Sequence, residues 1–416
     1  MHMAHDAAEA SILELEPEQQ AREVWRRLTP ERWPVSPKDL PAGSALVGGS
    51  IRDALIGRQR RAPDLDLVVP EGALKLTQRL ARDYGGACVV LDEARDMARL
   101  VLGGWTLDLA RRDGDDLETD LGRRDFRLNA IALVLGDAPM LLDPTDGIAD
   151  LRCSRLQAVQ EQNLIDDPLR LLRALRLIAE LPLTIEAETR VMLHRHRHRL
   201  PLAAPERIQA ELTRLVESPG AALALQELKA LDLLAPWQEL PAPGFGGVLA
   251  GADPETTASC LTTQERDQAL PLLRLTTCLS DQGLQALRFS RRQQQRCARL
   301  RQWLHRDDGK AFGSLPEAER LTLHRTLEDD LPALILTLPL PEREEWLQRW
   351  RNDDDPLFHP RPPVDGRTLQ ESLSIPQGPR LGELLQHLSL ERAFGRLHHR
   401  EEALEAARLW LSGRCG

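Results

Sequence analysis

Period-two patterning is confined to one part of this 416-residue chain, from Ala42 to about Asp150, and that asymmetry constrains the fold more than any other feature. Within it Ser44–Val47, Asp64–Val69, Ala87–Leu91, Ala98–Leu102 and Thr106–Leu109 read as strands, with Gly, Pro or Asp at the breaks. Glu71–Tyr84 and Arg124–Leu135 read as helices. Past Asp150 strand signals nearly vanish and leucine-rich helical patterns run to the end. Strands first and helices afterwards predict an α+β chain, with a small mixed-sheet head followed by an all-α remainder. Before the head, a helix is expected over Pro17–Leu28, then punctuation by Pro30, Pro34, Pro37 and Pro41. Pro236–Gly247 and Asp355–Gly366 are the expected joints in the helical part, and no repeat of fixed period is visible.

Composition excludes several classes. The apolar run Leu331–Leu340 is broken by Pro332 and Pro339 and cannot span a bilayer. Met1–Glu16 has no basic segment leading into an apolar one, so no signal peptide is expected. Six widely spaced cysteines without a CxxC pair fit reduced thiols in a cytoplasmic protein rather than a disulfide framework or a zinc site. The net charge of −10 does not exclude a nucleic-acid partner, because phosphate binding depends on local charge. Arg288, Arg291, Arg292, Arg296, Arg299, Arg301 and Arg306 cluster without an intervening acid. They form either a solvated helix face or an RNA-backbone contact.

Gly48-Gly49-Ser50-Ile51-Arg52-Asp53 followed by Asp64-Leu65-Asp66 is where chemistry is concentrated. Alternate strand residues share a face, so Asp64 and Asp66 converge while Leu65 and Leu67 turn into the core. Such a pair can hold Mg²⁺ against a triphosphate, and Gly48 and Gly49 let backbone N–H groups approach phosphate oxygens. Asp108, alternating with apolar neighbours, is the candidate third carboxylate. Arg52 can grip triphosphate oxygens or pair with Asp53. The expected chemistry is nucleotidyl transfer.

Two further clusters follow. In Arg123-Arg124-Asp125-Phe126-Arg127-Leu128-Asn129, Arg124 suits a phosphate or base, Asp125 a ribose hydroxyl, and Asn129 can fix Asp125 or the sugar. In Asp166-Asp167-Pro168 and the helix after it, Asp167, Arg170, Arg173 and Arg176 share one flank, while Leu171, Leu172, Leu175 and Ile178 share the other. Asp167 beside Arg170 could read the edge of a cytosine or adenine.

With these residues in order, the chain resembles the class II nucleotidyltransferases, which include bacterial CCA-adding enzymes and poly(A) polymerases. Pro205-Glu206-Arg207-Ile208, Asp143-Pro144-Thr145-Asp146-Gly147 and Ile375-Pro376-Gln377-Gly378-Pro379-Arg380 extend the likeness. The resemblance implies an extension (1–40), catalytic head (41–150), neck (151–217), RNA-binding body (218–355) and tail (356–416). It implies Mg²⁺ on Asp64 and Asp66. Gly49, Arg52, Arg124, Arg173 and Arg176 would contact the incoming nucleotide, Asp167 and Arg170 would select CTP or ATP, and Asp125 would meet the ribose. The implied partners are the 3′ end and acceptor arm of tRNA, with CTP and ATP as substrates and no membrane.

Two departures bear on subtype. Position 166 is Asp where the family usually has Glu. The segment between Asp108 and Arg123 is short, whereas members that build a whole CCA end carry a longer flexible loop there. CC addition, with a complementary A-adding enzyme acting on the same tRNA, is therefore expected ahead of full CCA or A-only addition. Poly(A) synthesis, a non-catalytic RNA-binding protein and a transferase acting on a protein or small molecule are the alternatives.

Overall fold

The computed structural model describes residues 11–58, 64–238, 260–304 and 312–413. The described chain divides into two compact units. One is everything up to Ala204 together with Leu231–Leu233, and the other is Pro205–Ala230 with the chain from Leu234 onward. This division falls inside the stretch expected to be the neck.

The first unit begins with helix α1, Pro17–Leu28, as its amphipathic spacing predicts. Its centre is a 7-stranded sheet in the order β3-β4-β5-β2-β1-β6-β7. The strands are β1 Ala45–Val47, β2 Leu65–Val69, β3 Ala87–Asp92, β4 Met97–Leu102, β5 Trp105–Arg111, β6 Ala132–Val134 and β7 Met140–Leu142. Only β2 and β5 run parallel; every other neighbouring pair is antiparallel. Helices α2, Gly49–Leu55, and α3, Ala73–Tyr84, follow β1 and β2. Along β2, Leu65 and Leu67 are buried, as alternation requires. On β4 and β5 the buried side chains are Ala98, Leu100, Leu107 and Leu109, and α3 packs against these strands.

One expected helix is replaced. Arg124–Leu135 holds a short 3₁₀ turn, Arg127–Asn129, and then β6. Phe126 is extended and bridges to Ala158. Ile131, Ala132 and Leu133 are all buried, with Ala132 and Val134 paired to Val47 and Ala45 of β1. A short apolar run buried on both faces carries no period to separate strand from helix, so the pattern was ambiguous and sheet pairing decided it. Asn129 therefore sits on a 3₁₀ turn rather than on a following helical turn.

After the sheet come α4 Leu117–Gly122 (between β5 and β6 in the chain), α5 Gly147–Arg152, α6 Glu161–Asp166 and α7 Leu169–Glu180. In α7 Leu171, Leu172, Leu175 and Ile178 are buried, and Pro168 caps its start.

The second unit is helical throughout its described residues. Of the arginine cluster, Arg288 pairs with Glu206, Arg296 forks onto Asp330 at 2.6 and 2.9 Å, and Arg301 donates to the carbonyls of Thr276 and Leu279. Arg296 and Arg301 are internal struts, whereas Arg288, Arg291, Arg292 and Arg299 are exposed and Arg306 lies outside the described residues. The expected joint at Pro236–Gly247 also lies largely outside them. No described helix is long and apolar enough to cross a membrane. Cys88, Cys153, Cys260, Cys278 and Cys297 are free thiols.

Candidate functional site

Register places the carboxylates. Asp66 of β2 stands beside Asp108 of parallel β5 and beside Val47 of β1, while Asp108 stands beside Arg99 of β4. Side chains at one register point to one face, so Asp66, Asp108 and Arg99 form a row across three strands. Asp64 lies just ahead of β2, where Thr106 Oγ1 donates to its Oδ1 at 3.2 Å.

Burial, foremost, and the neighbouring charges of Asp108 and Asp64 push the Asp66 carboxyl up to about 6, against the opposing pull of Arg124 and Arg173. This concentration of negative charge is what a divalent cation relieves. Asp108, however, is already engaged. Arg99 Nε donates to its Oδ1 at 2.6 Å and Nη2 to its Oδ2 at 2.8 Å. That fork also holds the guanidinium above its ordinary pKa. Among the described residues no group of three or more His, Cys, Asp or Glu side chains is arranged to hold a metal ion. The donor set that fits is the Asp64–Asp66 pair, with Asp108 tied to arginine. Arg99 was missed because a lone arginine in a strand carries no signal until its cross-strand partner is known.

Gly48 precedes α2 with φ +80°, and a Cβ there would lie 3.2 Å from Asp66 Oδ2 and 3.8 Å from Arg124 Nη1. A side chain would thus intrude between the turn, the carboxylate and the arginine, and the positive φ disfavours one independently. Gly49 is the first residue of α2, over the Arg52 guanidinium.

Arg52 points inward. It is only 4% exposed and places Nε and Nη2 on Asp53 Oδ1 at 3.0 and 2.7 Å and Nη1 on Asn129 Oδ1 at 2.7 Å. Asn129 Nδ2 donates to Asp125 Oδ1 at 3.1 Å, and Arg173 Nη1 donates to Asp125 Oδ2 at 3.2 Å. One continuous network thus runs from α2 through the 3₁₀ turn to α7. Burial raises the Asp125 pKa as the largest single influence. Even so, Arg173, Asn129, the Phe126 N–H and Arg170 together hold it below the ordinary carboxylate range. With both oxygens bonded inside the protein, Asp125 joins the elements of the site together.

Arg124 donates from Nη2 to Asp120 Oδ2 at 3.0 Å. Its backbone carbonyl accepts from Asn163 Nδ2 at 2.7 Å, and the same amide reaches Gly122 O at 2.9 Å. Asp120 and Asn163, both buried, were not singled out in the sequence. Arg170 Nη1 donates to Asn163 O at 3.0 Å, and burial lowers the Arg170 pKa while Asp125 and Asp167 raise it. Asp167 Oδ1 accepts from Leu169 N at 3.2 Å. Arg176 lies farther along α7 in an ion pair with Glu180 at 2.6 Å. The structure thus gathers Gly48, Asp64, Asp66, Asp108, Arg124 and Arg173 around one sheet face. Asp167 and Arg170 lie at the adjoining start of α7, and Arg52, Asn129 and Asp125 lie beneath as a brace.

A family model described as the probable RNA and SrmB-binding site of polymerase A matches residues 182–242. A CC-adding tRNA nucleotidyltransferase of Synechocystis sp. is 33% identical over 88% of this chain and 94% of its own length. An A-adding tRNA nucleotidyltransferase of Deinococcus radiodurans is likewise 33% identical, over 89% of this chain and 96% of its own. In fold the chain is similar to the Thermotoga maritima CCA-adding enzyme complexed with tRNA, with a TM-score of 0.69 and 21% identity over 89% of this chain and 91% of that one. The strand register, the site and the near full-length likeness agree: the chain belongs to the class II family of CCA-adding enzymes and poly(A) polymerases.

Proposed function

We propose that this chain is a tRNA 3′-terminal nucleotidyltransferase that adds the two cytidines of the CCA end from CTP, in the cytoplasm and without a nucleic-acid template. The RNA 3′-hydroxyl attacks the α-phosphate and pyrophosphate leaves. Asp64 and Asp66 would hold Mg²⁺, which would lower the pKa of the attacking hydroxyl and neutralise triphosphate charge. Arg124 and Arg173, whose charges act on Asp66, face the triphosphate. Asp167 and Arg170 read the base edge, and Arg176, ion-paired with Glu180 on the same helix, lies about one turn beyond Arg173.

The observation that carries CC addition is the segment 109–122. Strand β5 runs on to Arg111, and α4 begins at Leu117 with Asp116 accepting from Thr119 N as its cap. The intervening Arg112–Asp116 is pinned by Arg112 N on Val69 O at 2.8 Å and Asp113 N on Asp120 Oδ1 at 2.9 Å. This leaves no long free loop to remake the pocket for adenine. The equally identical A-adding relative makes A addition the second reading.

The test is incubation with tRNA lacking its last three nucleotides, supplied with CTP, ATP or both. Extension that stops at CC with both nucleotides present is expected. A complete CCA end would reject the loop argument, and extension by ATP alone on tRNA ending in CC would favour the second reading. Asp64→Ala and Asp66→Ala should each abolish incorporation while tRNA binding, measured by filter retention, stays within about twofold. Turnover retained in both variants would remove the metal assignment.

A further inference from the structure

The face of the sheet that carries the carboxylates is covered on one side and open on the other. Toward β1 and β6 it is buried by Ala45, Val47, Val68, Leu121, Ala130 and Ala132. Toward β4 and β3 the buried side chains belong to the opposite face, leaving Arg99, Val101, Thr106 and Asp108 on an open one. The register there has a consequence. The row Asp66–Asp108–Arg99 ends on Val89 of β3, because Val89 pairs with Arg99. A second row leads from Asp64 through its Thr106 hydrogen bond to Val101, the partner of Thr106. Each carboxylate thus starts a row that passes onto an exposed valine, with Val89 46% and Val101 40% exposed.

We propose that Val89 and Val101, with Arg99 beside both on the same face, form the seat for the 3′-terminal nucleotides of the acceptor RNA. This rests on reading the chain as an RNA 3′-end nucleotidyltransferase. A 3′-hydroxyl that reacts at Asp64 and Asp66 must arrive across one side of the site, and the β1–β6 side is closed by packed side chains. Strand spacing puts Val89 roughly 10 Å from Asp108, which suits a short single-stranded stretch. The chemistry suits nucleotides as well: apolar side chains take the face of an unstacked base, and a guanidinium takes phosphate. Arg99 uses Nε and Nη2 for Asp108, while its Nη1 makes no hydrogen bond to a described residue. The Arg99 side chain, 43% exposed, offers an RNA strand a counter-charge.

The experiment has two arms on the full-length chain. In the first, tRNA lacking its CCA end and carrying 4-thiouridine as its last nucleotide is irradiated with the wild-type protein. The crosslink is expected on a peptide spanning residues 87–102, and a crosslink elsewhere overturns the seat whatever the activity. In the second, Val89→Glu and Val101→Glu are each expected to raise KM for the truncated tRNA at least fivefold, with KM for CTP within twofold and Tm unchanged. Val90→Glu, whose side chain stands on the opposite face beside Ala98, is expected to stay near the wild-type KM. Unchanged tRNA KM in both glutamate variants, or equal impairment by Val90→Glu, overturns the proposal. So does sedimentation showing a wild-type dimer that Val89→Glu dissociates. A wild-type chain that extends no RNA would refute the reaction itself, a result distinct from active wild type with indifferent variants.

Discussion

At the scale of single residues, Arg52 shows best how a motif and a structure divide the argument. Its place behind two glycines at a helix start suits phosphate binding, yet its donors are spent on Asp53 and Asn129 beneath the site. The two roles separate experimentally. If Arg52 braces the site, Arg52→Leu removes the guanidinium from the buried Asp53 carboxylate and should cost about 3–5 kcal/mol. That loss is read as a lowered urea midpoint, alongside reduced incorporation. A variant with wild-type stability and only a raised KM for CTP would return Arg52 to the triphosphate. The sequence disclosed which residues matter here, because glycines, paired carboxylates and arginines in fixed spacing are rare. It could not disclose which of them face substrate and which face each other. Arg52 and Asp125 look identical in a motif whether their partner is a ribose, a phosphate or a neighbouring side chain. Arg99, Asp120 and Asn163 stayed hidden for the converse reason: their partners lie on other elements, at separations set only by the fold.

At the scale of elements, five strands and three helices of the first unit (α1, α3 and α7) were legible from alternation and amphipathic spacing. Strands β6 and β7 were not, being short and apolar on both faces or flanked by turns. The same limit hid how the segment Gly122–Arg124 is held. Helix α6 is short and unremarkable in sequence, yet its Asn163 is 2% exposed and donates to the carbonyls of Gly122 and Arg124. Asn163→Ala removes the donor from two carbonyls and should cost about 1–3 kcal/mol. It should also raise KM for CTP, because Arg124 loses the support on its backbone. Asn163→Asp, which turns a carboxylate toward those carbonyls, should be worse in both measurements. An alanine variant with unchanged melting and unchanged KM would show that α4 and Asp120 hold Arg124 unaided.

At the scale of the whole molecule, the residues of the candidate site all belong to the first unit, so the stability of the second can be perturbed without touching the chemistry. His324 offers the means. It is 1% exposed, with ring centroids 4.2 Å from Phe358 and 5.3 Å from Trp346, and its Nδ1 has no hydrogen-bond partner among the described residues. Burial, with the nearby Arg320 and Arg349, lowers its pKa from 6.5 to about 3. The unfolded chain therefore binds a proton that the folded chain refuses anywhere between those values. Its contribution is fully present above pH 6.5 and is lost as pH falls toward 3, at about 1.4 kcal/mol per unit. His324→Leu keeps an apolar side chain in the aromatic cluster and removes the titration. Between pH 7 and pH 5 the wild-type urea midpoint should fall more steeply than that of His324→Leu. Equal slopes for wild type and His324→Leu would place the acid sensitivity elsewhere.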